Sequence, residues 1–122
     1  MDGARHCEVL DEAVVLSITP AHVEAVYECL RTFEPWRSLS LPEADALEIH
    51  INRRRDAFGH VDHDGVSHRI HVSQAMCKDF DSLVQTVGHE MLHLVDWSHG
   101  RRFRSLAKRA CSRMGWDLDC FL

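Results

Sequence analysis

Apolar residues recur at helical spacing in three parts of the chain, which predicts three helices. The first is expected to begin at Thr19-Pro20, a pair typical of a helix N-terminus, and to end near Phe33. The second is expected to begin at Asp81, a good N-cap residue, and the third spans residues 101–114. The apolar stripe of the second helix comprises Leu83, Val84, Val87, Met91, Leu94 and Val95, and that of the third comprises Phe103, Leu106, Ala107, Ala110 and Met114.

Alternation of apolar and polar residues marks the expected strands. Residues 47–52 alternate in this way, and residues 57–62 and 66–73 flank a short His-Asp-Gly turn that is typical of a hairpin. Residues 13–18 form a further apolar segment, expected to be a short strand or a packing arm. These elements predict one α+β domain over residues 1–122, in which a small three-stranded sheet packs with an N-terminal, a central and a C-terminal helix.

Composition is ordinary for a globular protein, with 45% apolar and 27% charged residues. No apolar run reaches the roughly 18 residues of a membrane-spanning helix, and the charged N-terminus lacks the apolar core of a secretory signal. The five cysteines form no Cys-x-x-Cys pair, which argues for reduced thiols and against a disulfide framework or a zinc ribbon. A cytoplasmic location with no membrane contact is therefore expected.

The candidate chemistry lies in the string His89-Glu90-Met91-Leu92-His93 on the second predicted helix. Histidines four residues apart share one helix face, here opposite the apolar stripe, so their imidazoles can bind one ion at a cleft. A glutamate directly after the first histidine can take a proton from a metal-bound water, which is the basis of the HExxH signature. The alternative interpretation is a polar helix face without a metal.

His99 is the expected third ligand, and three protein ligands leave one tetrahedral position open, as in catalytic zinc sites. An acid from the last helix is the alternative, but the sequence has none there before Asp117. Gly100 is expected to provide the backbone bend that brings His99 back over the helix. Asp96 is expected either to orient a ligand imidazole or to cap the helix.

Together these residues predict a zinc-dependent metallopeptidase that hydrolyses peptide bonds by a metal-activated water. One Zn²⁺ per chain would be held by His89, His93 and His99, with Glu90 as the general base. The alternative is a non-catalytic, zinc-containing binding module that docks on DNA or on a protein partner. Glu90 favours the enzyme, because a purely structural site has no use for a carboxylate beside its first ligand.

Four more histidines lie on or beside the predicted hairpin, and they are open to two interpretations. A second metal could bind there, but a partly exposed strand face is the simpler account. The four are His60, His63, His68 and His71.

The HExxH string at residues 89–93, followed by His-Gly-x-x-Phe at residues 99–103, resembles the SprT-like metallopeptidases, which include the Spartan proteases that cleave DNA–protein crosslinks. A strand ending at residues 70–73, just before the active-site helix, is similar to the arrangement in that family. The resemblance covers residues 47–114. It implies a zincin-type fold, peptide-bond hydrolysis and proteins associated with DNA as substrates.

The ligand spacing is also that of the metzincins and of the Wss1-like relatives of SprT. Metzincins carry a glycine where this chain has Asp96, and a Met-turn for which Met114 is only a weak candidate, so the SprT and Wss1 side is favoured. SprT-like proteins often continue into a cysteine zinc ribbon or a DNA-binding tail, whereas this sequence stops at Leu122. A bacterial or phage origin is therefore expected.

Two contact surfaces are expected. A polypeptide substrate would add as an extended strand beside residues 66–72. The net charge is −5, yet residues 101–113 carry six cations and no acid. A solvated helix face is the simpler account of these cations, and a DNA contact is the alternative. The cations are Arg101, Arg102, Arg104, Lys108, Arg109 and Arg113.

Overall fold

The computed structural model of the chain describes residues 17–122 and confirms the expected α+β class. Most of the apolar segment at residues 13–18 lies outside the described residues. No helix in the described part is long and apolar enough to cross a membrane. In chain order the elements are α1 (Pro20–Leu30), 3-10 turns at Trp36–Leu39 and Ala44–Ala46, β1 (Glu48–Asn52), β2 (Gly59–His63), β3 (His68–Ser73), α2 (Phe80–His93), α3 (Arg101–Met114) and α4 (Leu118–Phe121).

The first helix begins as expected but ends earlier. The Thr19 hydroxyl accepts from the backbone N–H of His22, and the His22 ring accepts from the backbone N–H of Thr19, which closes a capping box. The helix ends at Leu30 rather than near Phe33. Its continuation tightens into a turn in which the N–H of Phe33 bonds the carbonyl of Leu30, three residues back.

The N-cap of α2 is Asp79 and not Asp81, so the predicted cap is wrong. The Asp79 carboxylate accepts from the backbone N–H of Ser82 at 2.7 Å, and the helix begins at Phe80. Asp81 lies inside the first turn, where it accepts from the side-chain amide of Gln85. Either aspartate suits a helix N-terminus, and the local sequence does not separate them.

The strand order is β1-β3-β2, with β3 parallel to β1 and antiparallel to β2. The expectation that the strand at residues 66–72 lies at a sheet edge is wrong, because β3 pairs on both sides. The free edge beside α2 belongs to β2, whose Gly59 lies against Thr86 and Glu90 of that helix. Substrate binding along the sheet stays a prediction, and its place moves to β2.

The core lies between the sheet and α2. Ile70 and Val72 of β3 are fully buried there, together with Leu83, Val87 and Met91 of α2. The outer members of the predicted stripe, which are Val84, Leu94 and Val95, are only partly buried, and the last two lie after the end of α2.

Two tryptophans hold the helix turn that precedes the HExxH string. The indole N–H of Trp36 donates to the carbonyl of Gly88 at 3.1 Å. A Cβ at position 88 would lie 3.0 Å from the Trp36 ring and 3.3 Å from Trp116. The glycine is therefore required for close packing, and the packing fixes the backbone directly before His89.

Candidate metal centre

Three imidazoles converge on one point beyond the C-terminal half of α2. The Nε2 atom of His93 lies 3.1 Å from Nε2 of His89 and 3.1 Å from Nε2 of His99. Donors bound to one tetrahedral zinc are separated by roughly 3.4 Å, given zinc–nitrogen bonds of about 2.0–2.1 Å. Two of the three donor pairs thus lie at nearly the spacing that a single ion requires, and all three donors lie within 4.8 Å of one another.

The hydrogen bonds made by Nδ1 of His89 and of His93 determine whether the Nε2 atoms of these rings carry a proton. Nδ1 of His89 lies 2.7 Å from the backbone carbonyl oxygen of Phe121, and Nδ1 of His93 lies 2.9 Å from that of Asp96. A carbonyl oxygen only accepts, so both Nδ1 atoms carry the proton and the Nε2 atoms of the neutral rings present lone pairs. Lone pairs at this distance repel each other, and a shared cation removes the repulsion. The residues present therefore fit a divalent metal.

Burial keeps these rings neutral. It lowers the pKa of His89 to about 4, and the neighbouring His93 and His99 add to the effect. Burial is also the main reason that the pKa of His93 is lowered. Neutral imidazole is the form that binds a metal, so His89 and His93 are in the metal-binding form at neutral pH.

The ring of Phe103 in α3 packs against all three histidines of the centre. Its ring is fully buried and its centroid lies 5.1, 4.3 and 4.9 Å from those of His89, His93 and His99. The contact with His93 is a stack, with 15° between the ring planes. One aromatic ring four residues after the third ligand thus supports all three imidazoles.

Glu90 is 5% exposed and borders the same cavity as His89. Burial raises the pKa of its carboxyl to about 8. The cavity has a volume of about 470 Å³ and lies between β2, α2 and α4, with Phe58, Gly59 and Phe121 among its walls. A carboxyl that can exchange a proton thus faces a space large enough for part of a peptide.

Asp96 orients a ligand imidazole, as one of its two expected roles had it, but it does so through its backbone. Its backbone carbonyl, and not its carboxylate, orients His93. The carboxylate accepts from the backbone N–H and the hydroxyl of Ser98 at 3.0 and 2.9 Å, which shapes the turn that leads to His99. The role expected of Gly100 is wrong: its φ of −82° is available to any residue, and it acts as the N-cap of α3.

Sequence reasoning missed two parts of the site. The Phe121 carbonyl has no signature in the sequence, because every residue type carries the same backbone oxygen. Gly59 had a signal, since a glycine inside a strand often marks a close backbone approach. A Cβ there would lie 2.7 Å from the carbonyl oxygen of His71 and 3.4 Å from Cγ of Glu90.

The hairpin histidines lie away from this centre and separate into two pairs. His60 and His71 stack with ring centroids 4.0 Å apart. His63 and His68 meet edge to face at the other end of the hairpin, with centroids 4.6 Å apart.

Comparison of the chain with family models, with curated proteins and with solved structures finds no match in any of the three. The resemblance to SprT-like metallopeptidases therefore stays a prediction. The geometry of the centre is what supports a function.

Proposed function

We propose that this protein is a zinc-dependent metallopeptidase. The observation that carries the proposal is the convergence of three imidazole nitrogens from His89, His93 and His99. The buried carboxyl of Glu90 borders a cavity that His89 also lines. A zinc ion held there would lower the pKa of water toward about 7 and polarise a substrate carbonyl. Three nitrogen ligands leave a position for that chemistry.

Glu90 would be the general base. Its raised pKa means that the metal-free protein holds a proton on this carboxyl near neutral pH, because the surroundings disfavour a charge. A nearby dication favours the ionised form and so converts the group into a proton acceptor. The proton taken up by Glu90 would then pass to the amine nitrogen of the leaving peptide.

The edge of β2 would bind the substrate backbone. The N–H of Ser73 bonds the carbonyl of Phe58, and that of Asp64 bonds the carbonyl of Ser67, so even-numbered residues of β2 direct their backbone groups toward β3. Gly59, Val61 and His63 then direct theirs outward. An extended peptide pairing with these groups would run past the cavity that contains Glu90.

The test compares Glu90→Gln with wild type. Glu90→Gln is expected to keep one zinc per chain at the α2 centre while losing cleavage of an unfolded test protein by at least about 100-fold, as expected for loss of a general base. Glu48→Gln, at an exposed position on β1, is the matched control and should cleave normally. Zinc is measured by mass spectrometry, and His93→Ala should lack it at this centre. Zinc-loaded wild type as inert as Glu90→Gln on unfolded and DNA-bound proteins would contradict the proposal and favour a binding module.

A second candidate function is docking on DNA through α3. The six cations of this helix are exposed. Of these six, Arg109 alone has a carboxylate partner among the described residues, which is Glu34 at 3.8 Å. The opposite face of α3 is buried. The exposed face is therefore almost uniformly cationic, and such a surface attracts phosphates.

A further inference from the structure

A row of imidazoles crosses the sheet on the face that points away from the helices. Side chains alternate along a strand, so the burial of Ile70 and Val72 against the helices directs His71 to the opposite face. The register aligns His71 with His50 of β1 and with His60 of β2. The ring centroid of His71 lies 5.0 Å from that of His50 and 4.0 Å from that of His60.

A carboxylate joins this row at one end. Asp62 follows His60 by two residues and so shares its face. Its Oδ2 atom lies 3.3 Å from Nε2 of His71 and 4.0 Å from Nε2 of His60. Its Oδ1 atom accepts from Nε of Arg69 at 2.5 Å. The Arg69 guanidinium thus binds Oδ1 of Asp62, and Oδ2 remains beside the imidazoles of His71 and His60.

The Nε2 atom of His71 is buried and has no hydrogen-bond partner, since its contact with Asp62 does not meet hydrogen-bond geometry. Burying a polar nitrogen without a partner is unfavourable, and such groups in folded proteins call for a specific explanation. Here the side chain of His71 offers a donor within 4.8 Å of donors from His60 and Asp62, which are residue types that bind metals. A cation between them would satisfy it.

We propose that His60, Asp62 and His71 form a second divalent-metal site that bridges β2 and β3. Two imidazoles and a carboxylate suit Zn²⁺, Ni²⁺ or Cu²⁺. Donors around a tetrahedral zinc are about 3.4 Å apart, whereas Oδ2 of Asp62 lies 4.0 Å from Nε2 of His60 and the rings of His60 and His71 are stacked, so the half-exposed His60 must shift and tilt to complete the site. The site shares no ligand with the centre on α2, and the proposal does not depend on peptidase activity.

Occupancy of this site would connect the edge strand to the central strand. Register pairs His60 with His71 directly, so an ion between them crosses the β2–β3 ladder. The first residue of β2, Gly59, also lines the cavity beside Glu90. The second ion would therefore stabilise the strand on which we place the substrate.

The test counts bound zinc after equilibrium dialysis of the full chain at micromolar free zinc. Wild type is expected to hold two ions per chain, and His71→Ala and Asp62→Asn one each. His50→Ala is the matched control, because it removes an imidazole from the same row but no ligand, and it should keep two. His99→Ala should lose the other ion and keep the one on the sheet. One ion in wild type, or two in His71→Ala, would overturn the proposal.

Three observations separate loss of the site from loss of the fold. Retention of one ion by His71→Ala shows that the centre on α2, and thus the surrounding fold, is intact. His60→Gln changes only a half-exposed side chain and should also lose one ion. In His99→Ala, zinc should raise the thermal midpoint, and the rise should disappear when His71→Ala is added. A rise that persists in the double variant would contradict the assignment.

Discussion

At the scale of single residues, the carboxyl group of Glu90 makes stability depend on pH. The pKa of a glutamate in the unfolded chain lies near 4.5, and burial raises that of Glu90 to about 8 in the folded, metal-free protein. The stability associated with the protonated carboxyl is therefore fully present below about pH 4.5 and is lost as the pH rises through 8.

Replacing the carboxyl with an amide removes this dependence. In a chelator, Glu90→Gln is expected to be more stable than wild type at pH 8–9 by on the order of a few kcal/mol, with a much smaller difference near pH 4.5. Urea unfolding at several pH values measures the difference, and the histidine contributions cancel because both proteins retain them. A difference that does not change between pH 4.5 and 9 would contradict burial of the carboxyl as the cause of its raised pKa.

The sequence predicts which histidines come together, but it does not predict the groups that hold their rings in place. His89, His93 and His99 lie within one helix and the turn after it, so local spacing determines where they meet. Their acceptors are the backbone carbonyls of Asp96 and Phe121, whose positions depend on chain geometry and not on residue type. For the same reason the sequence does not reveal that Asp96 orients His93 through its backbone carbonyl.

At the scale of elements, α3 contributes an aromatic support to residues on α2. Phe103→Leu is expected to leave the fold intact but to weaken zinc binding by roughly 10-fold, because the stack that orients His93 is lost. Leu106→Ala on the same helix should destabilise the protein by about 2–5 kcal/mol with little change in zinc affinity. Competition with a chromogenic chelator measures the affinity. Equal affinities for wild type and Phe103→Leu would show that the ring only fills space.

The edge of β2 gives a second test at this scale. The N–H of Val61 points away from β3, so Val61→Pro removes a donor from the free edge without removing a bond of the ladder. Cleavage is expected to fall mainly through a higher KM, while the zinc content stays at the wild-type value.

His60→Pro is the contrasting variant for this test. The N–H of His60 points into the ladder, and its loss should destabilise the hairpin itself. Unchanged kinetics in a correctly folded Val61→Pro protein would remove β2 as the substrate-binding strand.

Boundaries of helices and strands were predictable to within a few residues, but the partners of the strands were not. Residues 66–73 carry the alternation of a strand in either an edge or a central position. Pairing with β1 brings together segments that are far apart in sequence, and no local pattern encodes it. Only the pairing of the strands in the structure shows that β3 is the central strand.

At the scale of the whole molecule, charge is distributed unevenly. The chain has a net charge of −5, yet the exposed face of α3 is cationic. If this face contacts DNA, Arg101→Glu with Lys108→Glu should abolish binding that is independent of sequence and weakens steeply with salt. Retention of labelled single- and double-stranded DNA at low and moderate salt measures the effect. Arg104 is left unchanged because it donates to the carbonyl of His99.

The matched control for the charge reversal is Arg53→Glu with Lys78→Glu. Both residues are exposed and lie outside α3, and the net charge changes by the same amount. Binding that falls equally in the two double variants would indicate a general effect of charge. Weak and equal binding by all three proteins would remove DNA from the expected partners.

The two nitrogens of the His89 ring have partners at very different distances along the chain, so we expect them to meet these partners at different stages of folding. The proposed metal ligands lie within residues 89–99, so bringing them together around an ion would cost little chain entropy and could happen early in folding. The carbonyl that fixes His89 comes from Phe121, 32 residues later. Docking of α4 then fixes the orientation of the His89 ring. We expect the rate of metal exchange in the native protein to follow the local opening of this short terminal helix.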